Sequence, residues 1–320
     1  MALVHRVCEL CGEPNLIQDI RTSFREQGLL QAIREHDSDA IFDWMVEAIS
    51  YQGISDHVAA TYIEKHGTIS AGEIRCGLDR KRLCPKLKNY WHFENCGYQK
   101  TWRSCNEPLK YRLCPLPRHD LRNGSLNQAA YSFFLAIRDL AAGDLVGWID
   151  KRLRLADQPG STLKAQLLRD AVVDPLLHVH GVSHKVLHMT LASLLLADGR
   201  RHRWQLAGSA MVAVDTMIHK FLWRTGIMER LGKPHPYGVA CYREKGCEWI
   251  INHISKEIDA REFNAAFPEN FPRFVQKAIW SFCAASGFNQ CNGNNIDDRG
   301  RCDLADCPLF AECDRVTLKA

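Results

Sequence analysis

The chain has 320 residues, of which 46% are hydrophobic, and a formal net charge of +4. This is ample material for a sizeable core, and the mildly basic charge is compatible with nucleic acid without being diagnostic of it. No apolar stretch approaches the roughly 20 residues of a membrane helix, and the N-terminus lacks a signal-peptide pattern. We therefore expect a cytoplasmic protein without membrane contact, whose 14 cysteines bind metals rather than form disulfides.

Hydrophobic periodicity predicts helices along most of the chain. Residues 17–35 form one predicted helix. The polar run 37–39 is expected to cap a second helix over 40–51, and Ser55 or Asp56 a third that reaches about His66. Further helices are predicted over 126–142, 145–155 and 161–177, followed by a hairpin over 177–196 and a basic loop. After these we expect a helix at Asp215, a loop over 234–247, and helices over 247–258 and 271–285. Strand signals are nearly absent, so the predicted class is all-α.

Residues 76–118 differ from the rest of the chain, because they contain five cysteines and four prolines among many basic residues. We interpret this segment as a metal-organised insertion that holds either zinc or a second iron–sulfur cluster. The alternative is a set of independent buried thiols. Interleaved aromatic residues could stack on an unpaired base, but core packing is the favoured interpretation. The proposed ligands are Cys84, Cys96, Cys105 and Cys114, and the aromatic residues are Tyr90, Trp91 and Trp102.

The C-terminal tail contains a second set of four cysteines, in the pattern C-x10-C-x4-C-x5-C. Four thiolates suit zinc as well as an iron–sulfur cluster, and the spacing alone favours neither. This set consists of Cys291, Cys302, Cys307 and Cys313. A further possibility is that the pair Cys8 and Cys11 joins Cys241 and Cys247 around one zinc ion.

Two segments carry residues suited to chemistry on a sugar–phosphate chain. A short turn at Gly181 between two helices can present backbone N–H groups to a phosphate, and Lys185 after it can reach a neighbouring sugar carbon. Asp215, on a later helix, can act as a base or face a cationic sugar. The ordinary alternatives are a solvated helix lysine and a helix N-cap. The basic run 199–204 is either a solvated loop or a phosphate contact, through Arg200, Arg201 and Arg203.

Four segments, in sequence order, resemble the endonuclease III branch of the helix-hairpin-helix DNA glycosylases. They are the helix pair around Gln52, over 45–56; the hairpin 181–185, where Ser183 replaces a glycine; the 212–221 segment with Asp215; and 286–291 with the cysteines after it. The resemblance implies a two-lobe all-α fold, from which the Cys-rich insertion at 76–118 departs, since the family has ordinary helices there. It also implies that the C-terminal cysteines hold a [4Fe–4S] cluster in a loop.

The function that the resemblance implies is excision of a base from DNA. A monomer would bind duplex DNA at a damaged, modified or abasic site, and Gln52 would fill the gap left by the flipped nucleotide. Asp215 would stabilise the cationic sugar, and Lys185 would form a Schiff base with associated β-lyase activity. Gly181, Ser183 and the three arginines of the basic run would contact DNA, and the protein would be associated with the nucleoid.

The expected organisation follows from the same resemblance. Residues 1–37 are an N-terminal helical segment with a CxxC motif that packs on the C-terminal lobe. Residues 38–75 and 119–225 form a helical barrel, interrupted by the insertion at 76–118, and residues 226–320 form the lobe with the cluster loop. The rival hypothesis is a non-catalytic iron–sulfur subunit that binds DNA within a larger repair complex. A zinc-dependent nuclease or deaminase is disfavoured, since no His-x-Glu with a following Cys-x-x-Cys is present.

Overall fold

The computed structural model of the protein describes residues 2–51, 56–80, 84–91, 93, 96–99, 101–102, 104–107, 114–292 and 295–318. Within these ranges the protein is helical, and its one sheet is a two-stranded antiparallel hairpin, as expected for an all-α protein. The chain divides into two compact units, Met1–Arg21 with Leu191–Ala320, and Thr22–Thr190. No helix in the described ranges combines the length and apolar character needed to cross a membrane.

The elements follow one another in this order. The first half contains α1 (Ala2–Cys11), α2 (Leu16–Glu26), α3 (Leu29–Glu35), α4 (Ser38–Ser50), α5 (Asp56–His66), α6 (Ala71–Arg80), β1 (Tyr98–Gln99) and β2 (Ser104–Cys105). The second half contains α7 (Ser125–Ala141), α8 (Leu145–Ala156), α9 (Lys164–Leu176), α10 (His184–Ala197), α11 (His202–Ser209), α12 (Thr216–Arg224), α13 (Ile227–Leu231), α14 (Cys247–Ile254) and α15 (Pro272–Cys283). Short 3-10 turns cover Leu121–Gly124, Val239–Tyr242, Ser255–Glu257 and Ala260–Glu262.

Local chemistry explains where the early helices begin and end. The single helix predicted over 17–35 is two helices, because Gly28 takes a left-handed conformation at φ 73° that interrupts the helical backbone. The next helix starts where the polar run predicted it. The Asp37 carboxylate accepts hydrogen bonds from the backbone N–H groups of Asp39, at 3.1 Å, and Ala40, at 3.0 Å, and so satisfies two of the free donors of α4.

The unit of residues 22–190 is organised around α7. This helix is buried on most of its surface, so its neighbours α4, α6 and α8 cover it from several sides. Three buried side chains of α7 are polar, Asn127, Gln128 and Ser132, and each contacts the Cys-rich segment, Gln128 through a hydrogen bond with Cys96. Asn127 accepts a hydrogen bond from the backbone N–H of His119 at 2.9 Å and donates to its carbonyl at 3.0 Å. Ser132 donates to the carbonyl of Tyr90 at 2.8 Å.

The unit of residues 1–21 and 191–320 has one continuous apolar core. Helix α15 lies at its centre and packs on α1, α11, α12 and α14. The first turns of α12 and the residues that precede it are buried in this core, through Val212, Val214, Ile218 and Phe221. The polar residue within this stretch, Asp215, is therefore held on a rigid segment rather than on a mobile loop.

Candidate functional site

The predicted hairpin is present between α9 and α10. Its turn depends on Gly181, which has φ +77° and whose added Cβ would lie 3.3 Å from the Cβ of Ala129. Ser183 follows the turn, and its side chain serves as a cap. The Ser183 hydroxyl oxygen accepts a hydrogen bond from the backbone N–H of Val186 at 3.4 Å, at the start of α10.

The hairpin and the Cys-rich segment are held by the same buried residue of α7. The Ser132 hydroxyl oxygen accepts a hydrogen bond from the His180 backbone N–H at 2.8 Å while it donates to Tyr90. The ring of Phe93 stacks on that of His180, with centroids 5.3 Å apart. The position of the turn is therefore linked to the fold of the insertion within one unit.

Lys185 lies in the first turn of α10 and is partly exposed. It belongs to the unit of residues 22–190, whereas Asp215 belongs to the other unit. Beside Lys185, burial lowers the pKa of His184 below its usual value, and Asp174 opposes part of this change. Gln52, the predicted gap-filling residue, lies outside the described residues.

Asp215 is the N-cap of α12 and only 7% exposed. Its Oδ1 accepts a hydrogen bond from the backbone N–H of Ile218 at 2.9 Å. Its Oδ2 makes no hydrogen bond with any residue in the described ranges. The backbone just before it is also fixed, since the Val214 N–H donates to the Tyr242 hydroxyl at 3.0 Å and that hydroxyl donates to the Val214 carbonyl at 3.3 Å. Capping and a chemical role are therefore compatible, because one carboxylate oxygen performs the capping.

Two histidines and two cysteines come together beside α12. One of them, His219, lies on this helix one turn after Asp215. The four ligand atoms of this group all lie within 4.8 Å of one another, and no other group of three or more such residues in the described ranges is as close. The Cys247 sulfur is 3.4 Å from His219 Nδ1 and 3.4 Å from His235 Nε2, and the Cys241 sulfur is 3.6 Å from His219 Nδ1. The group could hold a metal ion. We call it the His2Cys2 group; it consists of His219, His235, Cys241 and Cys247.

The possibility that Cys8 and Cys11 join Cys241 and Cys247 around one zinc ion does not match the structure, in which the two later cysteines lie beside His219 and His235. Burial raises the pKa of Cys8 to about 12, as expected for a thiol in an apolar core. The sequence feature that could have identified three of the four ligands is the regular spacing His-x5-Cys-x5-Cys over residues 235–247. His219 could not be found in this way, since it comes from a different element.

The pKa values of the two cysteines in the His2Cys2 group are shifted in opposite directions. A hydrogen bond from the Cys247 thiol lowers the pKa of Cys241 to about 4, with further help from His219 and against the effect of burial. The same interaction, together with burial, raises the pKa of Cys247. The group therefore favours negative charge on the Cys241 sulfur over the Cys247 sulfur.

The four C-terminal cysteines line one cavity, and its walls are otherwise largely apolar. Two of them accept hydrogen bonds from the backbone N–H of the second residue after them, Cys307 from Leu309 and Cys313 from Arg315. The cavity is lined by Cys291, Cys302, Cys307 and Cys313, with Phe221, Phe282, Ile296, Leu304 and Leu309 among its neighbours.

A buried cation adjoins this cavity. Arg224 is 3% exposed, and its guanidinium donates to the Asp298 carboxylate at 2.5 Å, while Lys220 donates to the other oxygen of that carboxylate at 2.7 Å. A hydrogen bond from Cys283 and then the charge of Arg224 lower the pKa of Cys291 to about 7, against the effect of burial. The cavity therefore favours negative charge on this sulfur.

The cysteines of the insertion interact with one another but do not converge as tightly. Cys84, Cys96 and Cys105 all raise the pKa of Cys114, although burial is the largest cause of that increase. The backbone N–H of Glu107 donates to the Cys105 sulfur at 3.4 Å, and the residues two after Cys96 and Cys114 donate to those sulfurs in the same way. The recurrence of this N–H to sulfur pattern in both four-cysteine sets favours thiolate ligands over independent thiols.

The aromatic residues of the insertion depart from the expected core packing. Of the three aromatic residues interleaved with the basic ones, Tyr90 is buried, whereas Trp91 is 46% exposed and Trp102 is 68% exposed. A charged residue outside the insertion also contacts its backbone at the surface. The Arg138 guanidinium donates a hydrogen bond to the carbonyl of Lys88 at 2.9 Å.

The basic run after α10 is only partly a loop, because α11 begins at His202. Its first two arginines are paired with Asp198, which Arg200 contacts at 3.2 Å and Arg201 at 3.6 Å. Burial tends to raise the pKa of Asp198, but these arginines outweigh it and hold the pKa below its ordinary value. Arg201 also lies over the ring of Trp204, 4.8 Å from its centroid, and Arg203 is exposed.

We compared the chain with protein family models, with curated proteins and with solved structures, and none of the three comparisons finds a match.

Proposed function

We propose that the protein is a DNA glycosylase that removes a damaged or modified base and then cleaves the strand as a β-lyase. The observation that carries this proposal is the setting of Asp215, a buried carboxylate with one oxygen fixed by the backbone and the other uncommitted. A preorganised negative charge of this kind can stabilise the cation that develops on a deoxyribose as its base departs. The two hydrogen bonds between the Tyr242 hydroxyl and the Val214 backbone keep the carboxylate in place.

The hairpin supports the same proposal from the other unit. A glycine turn followed by the N-terminus of a 14-residue helix is suited to a phosphate, since helix N-termini carry partial positive charge. Lys185 lies in the first turn of this helix. Its neutral amine would add to C1′ of the abasic sugar and expel water to form a Schiff base. Loss of a C2′ proton would then release the 3′ phosphate.

We also propose that the C-terminal set of four cysteines holds a [4Fe–4S] cluster. The single cavity, the N–H groups directed at Cys307 and Cys313, and the adjacent Arg224 all favour a bound anionic cluster. Its role would be to order the loop over 291–313, which carries the exposed residues Arg299 and Arg301. The insertion cysteines would hold a second cluster or zinc.

The proposal is tested with duplex oligonucleotides that each carry one modified base, followed by hot alkali to reveal abasic sites. We expect at least one substrate to be cleaved by the wild-type protein. The Asp215→Asn variant should be slower by about 100-fold or more, which is a typical contribution of a positioned acid or base. Asparagine can still cap α12, so this substitution tests the charge rather than the fold. A fully active Asp215→Asn variant would contradict the assignment.

Tight DNA binding without excision of any base would favour the rival hypothesis, a non-catalytic iron–sulfur subunit. Arg203→Ala provides a useful comparison, since this exposed arginine would contribute to phosphate binding in either case. Its loss should weaken binding to all sequences and reduce the salt dependence of the affinity, without a specific effect on base removal.

A further inference from the structure

We propose that the His2Cys2 group binds one structural Zn²⁺ ion that fixes the backbone on both sides of Asp215. Two ligand atoms on a tetrahedral zinc are separated by about 3.6 Å, given Zn–S of about 2.3 Å and Zn–N of about 2.1 Å. Three of the four sulfur–nitrogen distances in the group are 3.4, 3.4 and 3.6 Å, and all four ligand atoms lie within 4.8 Å of one another. These three sulfur–nitrogen pairs are thus already at the separation that a single zinc ion requires. The ligand atoms would be His219 Nδ1, His235 Nε2, Cys241 Sγ and Cys247 Sγ.

A contact outside the four ligands supports this assignment. The Nδ1 atom of His235 lies 2.6 Å from the carbonyl oxygen of Lys233, so Nδ1 is the protonated nitrogen that donates. The lone pair is then on Nε2, which is the atom that faces the Cys247 sulfur. Zinc-bound histidines are commonly oriented in this way by a carbonyl or carboxylate on the other ring nitrogen.

The burial of the group indicates a structural rather than a catalytic metal. Both cysteines are fully buried and His219 is 7% exposed. All four positions of a tetrahedral ion would be filled by protein, which leaves none for water or substrate. Two thiolates and two neutral imidazoles would also give a neutral centre with Zn²⁺, which is the arrangement that burial favours.

The surrounding chain explains why a metal cross-link would matter here. The segment between α13 and α14 contains only a 3-10 turn, Val239–Tyr242, and its base is closed by one hydrogen bond from Lys233 N–H to the Lys245 carbonyl, at 3.0 Å. Gly246 has no room for a side chain, since a Cβ would lie 2.4 Å from the carbonyl oxygen of Ala240. A zinc ion would join this irregular segment to α12 and α14, and its binding energy would contribute to folding.

The same ion would position Asp215 through the residues before and after it in the chain. His219 lies one turn after Asp215 on α12, and its backbone N–H donates to the Asp215 carbonyl at 3.1 Å. Tyr242 directly follows Cys241 and holds the backbone of Val214. The zinc site would therefore fix the residues before and after Asp215. Zinc binding is independent of the proposed DNA activity, so either can fail without the other.

Metal analysis of the purified full-length protein tests the proposal. We expect one zinc per chain at this group in the wild type, in addition to any zinc held by the insertion cysteines. Cys247→Ser and His235→Ala should each contain about one zinc per chain less than the wild type after dialysis against a mild chelator. The His235→Cys variant should keep its zinc, since Cys3His is a common zinc ligand set. Cys76→Ser is the matched control, because Cys76 belongs to none of the three metal-ligand sets, and it should leave zinc unchanged.

Cobalt substitution keeps the test decisive if a variant folds poorly. The wild-type protein with Co²⁺ should show the intense visible bands of a tetrahedral ion and sulfur-to-cobalt charge transfer, and His235→Cys should increase the charge-transfer absorption. Wild-type protein with less than about 0.1 zinc per chain and no tetrahedral cobalt spectrum would overturn the proposal. So would undiminished zinc in Cys247→Ser, since the ion would then be elsewhere.

Discussion

The hydroxyl of Tyr242 is predicted to be a main determinant of stability in the unit that carries Asp215. Tyr242→Phe removes the acceptor of the Val214 N–H, at 3.0 Å, and the donor to the Val214 carbonyl, at 3.3 Å. Val214 is 1% exposed, so water cannot easily replace either partner. A buried donor left unsatisfied costs about 1–3 kcal/mol, and the longer bond adds roughly 0.5–1 kcal/mol. We therefore expect a loss of about 2–3 kcal/mol in the free energy of unfolding.

The assay is urea or thermal unfolding, with Tyr237→Phe as the matched control. Tyr237 lies in the same segment, is 46% exposed, and its hydroxyl makes no hydrogen bond within the described part of the chain. For a unit of about 150 residues, the predicted loss lowers Tm by roughly 4–12 °C. The control should change stability by less than about 0.5 kcal/mol. Equal effects of the two substitutions would refute the argument that Tyr242 holds the backbone before Asp215.

Three further substitutions test other parts of the account. Asp215→Ala should lower stability by about 1 kcal/mol through loss of the helix cap, whereas asparagine at this position should change it much less; denaturant unfolding distinguishes them. Gly181→Ala forces a side chain into a left-handed conformation and should cost about 1–2 kcal/mol, while Gly72→Ala, in a helix where the added Cβ makes only an ordinary contact with Ser70 at 3.9 Å, should not destabilise. Asp198→Asn removes the partner of Arg200 and should cost roughly 1 kcal/mol at pH 7. Because the pKa of Asp198 is lowered in the folded protein, its stabilisation is complete above the unfolded pKa of about 4 and disappears as pH falls through the folded value. The stability difference from the variant should therefore vanish in acid, and a constant difference down to pH 3 would contradict the ion pair.

The sequence was informative where a local signal determines the structure. The caps at Asp37 and Asp215, the helices over 125–141 and 145–156, and the turn at Gly181 all follow from short-range chemistry. Errors arose where a single residue changes the outcome, as at Gly28, which divides a helix whose hydrophobic pattern continues through it. Helix α11, expected as a loop, starts within the charged run because Trp204, Ala207 and Gly208 bury one face.

The metal ligands show the limit of local inference more clearly. The four C-terminal cysteines lie within 23 residues of one another, and they do share a cavity. The His2Cys2 group combines His219 from a helix with His235, Cys241 and Cys247 from a later segment. Nothing in the sequence near His219 marks it as a ligand, since its neighbours have the ordinary amphipathic pattern. Only the tertiary packing of α12 against α14 brings it to the cysteines.

The proposed chemistry is tested most directly by borohydride trapping on duplex DNA with an abasic site. Wild type, Lys185→Ala and Lys151→Ala should be compared, since Lys151 is an exposed helix lysine in the same unit. We predict a covalent protein–DNA adduct with the wild type and Lys151→Ala, and none with Lys185→Ala, because reduction of the Schiff base requires that amine. An adduct that persists in Lys185→Ala, or that is absent from the wild type, would contradict the assignment of Lys185 as the nucleophile.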